Sequence, residues 1–251
     1  MIQLKIADIV RSAERDYTSG SNSTISKYVE FNQYENINRI EAYLNSKHTS
    51  GDTDSLGREK PFFNIVTAAV NIWYRATKIK KELIRIRSDK NSNVLSAFLA
   101  TIHLQDWMKR VNFGSFLNDW GLSLARYGSS VVKFVEKDGQ LHCCVVPWNR
   151  LITDVVDFDN NVKIEKLYMT PAQLKMHKGY DKKMVEALLD TKESRESLDG
   201  RKIDNRSEYI ELYEVHGELP LSLLTDDEDD EDTYVQQMHV ISFVVGKNRG
   251  D

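Results

Sequence analysis

Asp154, Glu165 and Lys166 carry the groups that a metal-dependent nuclease uses: two carboxylates for a divalent cation and an ammonium for a phosphate. The chain holds 38 acidic residues, so scattered trios of this kind arise by chance, and only a fold that gathers them gives them chemistry. The remaining reactive types are not spaced for reaction. His48, His103, His142, His177, His216 and His239 are too far apart in sequence to pair on one helix as metal ligands. Cys143 and Cys144 are adjacent in an alternating stretch, where neighbouring side chains point to opposite faces. That geometry disfavours a bridge between them, no zinc-ligand spacing surrounds them, and free thiols, buried or half-buried, are expected. There is no GxxxxGK[ST] or GxGxxG loop to cradle a phosphate and no GxSxG element to present a serine nucleophile. No catalytic, cofactor-binding or metal-binding residue is assigned, and the expectation moves from an enzyme towards a structural or assembly protein.

Charge patterning offers two further candidates. The run Asp226–Asp232 is seven consecutive carboxylates but lacks the glycine and spaced ligands of a calcium loop, so it reads as a solvated loop or hairpin tip. Leu83-Ile84-Arg85-Ile86-Arg87 alternates apolar and basic and reads as a half-exposed strand; its Ile84-Arg85-Ile86-Arg87 part is a local basic patch, with nucleic-acid contact as the sharper alternative. Across the whole chain the formal net charge is −4, which argues against a small module devoted to tight DNA binding.

These residues must be positioned by 251 residues of ordinary globular composition, 41% hydrophobic and 29% charged, enough for one large domain or two modest ones. No apolar run approaches the ~20 residues needed to cross a bilayer. Residues 1–5 lack the layout of a secretory signal, and two free cysteines suit a reducing compartment, so a soluble, intracellular product is expected.

Helical periodicity covers 2–17 and about 25–45, separated by the polar link 18–23; this pair reads as an outlying helical arm, 1–57. Pro61 then suits the first turn of a helix whose Phe62, Ile65, Val66, Ala69 and Trp73 form a buried stripe. Leu95, Phe98, Leu99 and Ile102 mark a second apolar face. A third comprises Phe113, Phe116, Leu117, Trp120, Leu124 and Tyr127; its helical spacing favours core packing over a ligand pocket, and Gly128 stands at the cap position. The period then changes to two. Strands at 131–136 and 141–146 flank Lys137-Asp138-Gly139, a strong hairpin signal. Leu151–Asp154 continues extended, and 162–168 reads as a strand. Thr170-Pro171-Ala172-Gln173 opens a capped helix, a second short helix covers about 181–190, and strands at 208–216 and 234–245 complete the pattern. The fold class is therefore α+β: a helical N-terminal arm, a mixed helix and antiparallel-strand domain over 58–217, and an acidic loop with a strand over 218–251. The turn-rich ending 246–251 after a strand suggests a piece of a longer protein.

The order of elements from Pro61 to His216 resembles the wing and adjoining regions of tailed-bacteriophage portal proteins, the head-to-tail connectors. Pro61-Phe62-Phe63-Asn64-Ile65-Val66 resembles the segment opening the first long core helix, and Leu124–Lys133 the helix-glycine-strand transition. Val145–Asp154 is similar to the proline-then-aspartate crossing after the hairpin, Tyr168–Leu174 to the short capped helix, and Glu208–Glu214 to the strand leading from wing towards clip. The likeness covers about 60–245 and lies in the ordering of patterns, not in one diagnostic motif.

It implies a structural subunit of a closed, usually dodecameric ring at one capsid vertex of the virion, assembled in the host cytoplasm. The implied partners are further copies of the chain, the terminase large subunit, the major capsid and scaffolding proteins, a head-tail adaptor, and double-stranded DNA passing through the channel. No membrane, cofactor or enzymatic activity is implied. Stem helices, tunnel loop, crown and most of the clip are missing from this sequence, so channel-lining residues stay unassigned. The alternatives are a metal-dependent nucleic-acid-processing enzyme and a non-phage α+β assembly scaffold.

Overall fold

The computed structural model describes residues 2–19, 32–48, 51, 53–137, 139–154, 157–196, 209–224 and 233–242. Expectations for the link 20–23, Asp138, the acidic run 226–232, strand residues 243–245 and the ending 246–251 lie outside the described residues. The helices are α1 (Ile2–Ser19), α2 (Gln33–Leu44), α3 (Ile65–Ala76), α4 (Val94–Arg110), α5 (Phe113–Tyr127), α6 (Pro171–Met176) and α7 (Lys182–Glu196). The strands are β1 (Val131–Lys137), β2 (Gln140–Val146), β3 (Leu151–Ile152), β4 (Lys163–Met169), β5 (Ile210–Pro220) and β6 (Tyr234–Ile241). They fold as two compact units, residues 1–30 with 150–251 and residues 31–149, each mixing helices with antiparallel strands. The chain is α+β, as its changes of hydrophobic period indicate.

In the first unit the sheet order is β3-β4-β5-β6, antiparallel throughout. Side chains alternate across it, so each face acquires its own core. Ile152, Ile164, Tyr213 and Val215 share one face with Ile6, Val10 and Tyr17 of α1. Val10, Ile164 and Val215 are completely buried, and burial of such side chains is worth about 1.5–3 kcal/mol each. Expected in an outlying arm, α1 is a wall of this core. The opposite face carries Ile210 and Leu212 under Leu174 of α6 and Val185 and Leu189 of α7. The start of α6 is set locally. Thr170 accepts from the Gln173 amide, Gln173 reaches back to the Thr170 N–H at 2.8 Å, and Pro171 occupies the first turn. On β5, Gly217 has φ +149°, and a Cβ there would stand 3.1 Å from the Cα of Val162, so both backbone freedom and close approach call for glycine.

In the second unit α2, α3 and α4 pack against α5. Asn112 turns the chain between α4 and α5 with φ +51°. Gly128, φ +74°, ends α5 in the left-handed cap, its N–H bonding to the Leu124 carbonyl at 2.9 Å. The β1–β2 hairpin pairs in the register Lys137↔Gln140, at the place where the alternating pattern predicts a hairpin. The indole N–H of Trp148 donates to the Ser129 carbonyl at 3.0 Å, tying the exit of the hairpin to its entrance.

Two sequence expectations are corrected in this unit. Pro61 precedes α3 and does not form its first turn, because Asn64 caps the helix by accepting from the Thr67 amide at 3.1 Å. The predicted strand at 83–87 does not form. A single 3-10 turn covers Lys81–Leu83, and the extended chain after it has no ladder partner among the described residues. Its backbone is satisfied by Thr101 instead. The Ile86 N–H donates to Thr101 Oγ1 at 3.1 Å, and that hydroxyl lies 3.2 Å from the Ile86 carbonyl and 2.9 Å from the Ala97 carbonyl.

Candidate functional site

The nuclease trio is not gathered. Glu165 and Lys166 are consecutive on β4 and so point to opposite faces of the sheet. Lys166 joins Glu14 of α1 in an ion pair and lies 5.6 Å from the ring centroid of Tyr213. The Tyr213 hydroxyl donates to Glu14 Oε2 at 3.4 Å; burial, then the Glu14 and Glu211 carboxylates, push its pKa well up. Lys166 and Tyr213 therefore hold α1 onto the sheet. Glu165 sits buried on the other face, in cross-strand register with the equally buried Glu214, whose Oε1 is 2.5 Å from His216 Nε2. Asp154 accepts from Asn161 Nδ2 at 2.9 Å. Among the described residues no group of three or more His, Cys, Asp or Glu is arranged to hold a metal ion. The Glu165–Glu214 pair was not legible in the sequence, because alternation assigns a face to each residue but does not name its partner strand.

Cys143 is half-buried and Cys144 exposed, unbridged, on opposite faces of β2. Burial, then the neighbouring Cys144, raises the Cys143 thiol. Cys144 thus departs from the expectation of a sheltered thiol, since β1 and β2 form a sheet of only two strands.

The chief departure lies in the apolar stripes. Ile65 and Trp73 of α3 are 73% and 65% exposed, and Leu95 and Phe98 of α4 are 71% and 60% exposed, with Leu99 and Ile102 also open. Other sides of the two helices make the packing contacts. Tyr74 of α3 lies over Gly121 of α5, where a Cβ would be 3.6 Å from its ring, and its hydroxyl donates to Asn118 Oδ1 at 3.2 Å. Met108 of α4 is buried, and Trp107 stacks at a tilt on Phe113 with centroids 5.4 Å apart. The third stripe fares better: Phe113, Phe116, Leu117, Trp120, Leu124 and Tyr127 are all half-buried. Tyr127 donates to Glu41 of α2; burial, then that bond, push its pKa well up.

Scattered exposed apolar residues are ordinary, whereas here large aliphatic and aromatic side chains stand exposed at regular helical spacing on two helices. Beside α4 runs the basic segment containing Arg85 and Arg87, both exposed. The Thr101 bonds to Ile86 fasten this segment along a flank of the Phe98–Ile102 face. The arrangement is suited to binding a macromolecular surface through apolar contact edged by fixed positive charge. No helix among the described residues is long and apolar enough to cross a membrane.

No protein-family model matches the chain, and a search of curated proteins returns no match to its sequence.

Proposed function

We propose that this chain is a structural subunit of a tailed-phage portal ring, forming part of the DNA entry and exit conduit at a capsid vertex. The observation that carries the reading is the outward-facing apolar stripe on each of α3 and α4. Stable interfaces bury on the order of 800 Å² per partner around a core of large apolar side chains. Phe98, Leu95, Ile65 and Trp73 are of the right type and exposure for such cores. The ordered run of elements also agrees with the wing pattern: α5 ending at Gly128, the β1–β2 hairpin, Pro147, β3 and β4, the capped α6, then β5.

A ring of this kind closes by head-to-tail contacts between two different patches on each copy. Its subunits supply a docking platform for the terminase, whose ATPase is a separate protein, and later a joint for tail components.

Negative-stain microscopy of the natural full-length protein, expressed without other phage proteins, tests the reading. Rings with a central hole and near-twelvefold symmetry are expected. A uniform monomer or small open oligomer refutes it.

A further inference from the structure

Residues 78–90 carry Lys78, Lys80, Lys81, Arg85, Arg87 and Lys90 against only Glu82 and Asp89, in a chain whose net charge is −4. All of these cations except the half-buried Lys81 are exposed. No ion pair joins any of the six to another described residue. Ile79, Leu83 and Ile86 stand exposed among them. The Ile86 N–H donates to the Thr101 hydroxyl, so part of the strip is held in place before any partner arrives.

The complementary charge is in the same sequence. Asp226–Asp232 is an unbroken run of seven carboxylates between β5 and β6. Of the described residues on either side of it, Leu221 and Thr233 are joined, the Leu221 N–H donating to the Thr233 carbonyl at 2.7 Å.

We propose that the acidic run 226–232 of one copy docks on the basic strip 78–90 of a second copy. Each copy then carries one donor patch and one acceptor patch, the requirement for a head-to-tail contact that propagates until rotation closes it. The closed geometry, though not the pairing itself, rests on the portal-ring reading. A nucleic-acid backbone would also attract six cations, but it has no use for Ile79, Leu83 and Ile86 between them. A protein segment does, because protein interfaces combine arginine with apolar side chains. The acidic run also arrives in equal stoichiometry with the strip.

Two full-length variants test this. One reverses the strip (Lys80→Glu, Arg85→Glu, Arg87→Glu), and the other reverses the run (Asp226→Lys, Asp227→Lys, Asp229→Lys, Asp230→Lys, Asp232→Lys). Sedimentation velocity at low and high salt reads assembly, and far-UV circular dichroism checks folding. The wild type is expected to assemble in a salt-sensitive manner, with each variant alone weakened about tenfold or more. An equimolar mixture of the two variants is expected to recover, because each supplies the charge the other lacks; misfolded chains cannot produce that recovery. Wild type and both variants assembling alike overturns this pairing and leaves the ring reading standing. Charge-dependent pairing that stops at an open dimer upholds the pairing and removes the ring. If only a chain carrying both reversals recovers and the mixture does not, the contact is within one chain and the proposal fails. Loss of duplex-DNA binding in the strip variant with assembly unchanged assigns the strip to nucleic acid and also overturns it.

Discussion

Ile164→Ala and Phe98→Ala, measured side by side, separate a core position from one that merely has the spacing of a core position. Ile164 is 0% exposed on β4, in register with Ile152 on one side and Val215 on the other, and belongs to the same cluster as Val10. Removing its three outer carbons forfeits about 0.8 kcal/mol each. The cavity left behind raises the loss to about 3.5 kcal/mol, within the range for aliphatic-to-alanine changes in cores. Phe98 is 60% exposed on α4. Its truncation in the dissociated chain is expected to change stability by less than about 0.5 kcal/mol, and alanine's higher helix propensity offsets part of any loss. The assay is urea unfolding followed by far-UV circular dichroism, at low protein concentration and high salt so that copies stay apart. A total stability of about 5–15 kcal/mol makes the first loss large and the second barely visible. A Phe98→Ala loss above about 2 kcal/mol, comparable to that of Ile164→Ala, would refute the outward placement of the α4 stripe. Under assembling conditions the order reverses for the oligomer: Phe98→Ala is expected to weaken association while leaving the fold intact.

Thr101→Val keeps the side-chain shape but removes the oxygen that binds Ile86. A loss of about 1 kcal/mol is expected, with faster hydrogen exchange at the Ile86 amide; unchanged exchange would show that the strip is held some other way. His239 is partly buried on β6, with Nε2 2.7 Å from Gln237 Oε1, and burial lowers its pKa from the ordinary value of about 6.5. The folded state therefore takes up this proton less readily than the unfolded state. The histidine's contribution is fully present above the unfolded pKa and is lost as pH falls through the depressed folded value. The fall in melting temperature between pH 8 and pH 5 should be smaller in His239→Gln than in wild type, and equal falls would contradict the assignment.

What the sequence determined by itself is what short-range chemistry decides. The β1–β2 hairpin, the glycine cap at Gly128 and the Thr170–Gln173 capping box each depend on a few neighbouring residues, and each forms where the pattern places it. The change of period from helical to alternating identified the α+β class for the same reason. Tertiary structure decided everything that depends on a distant partner. The amphipathic stripes of α3 and α4 have the spacing of core helices, yet helical spacing reports only that one face is apolar, and here other sides of both helices meet α5. Residues 83–87 have strand-like alternation, but a strand needs a ladder, and a single threonine on α4 satisfies Ile86 instead. Helix α1 looked like an arm because its apolar residues are few; Ile6, Val10 and Tyr17 are nonetheless buried because β4 and β5 complete the core around Val10. Glu165 and Lys166, adjacent in sequence, were sent to opposite faces by the pleat, while Glu165 and Glu214, 49 positions apart, were brought into register by strand pairing.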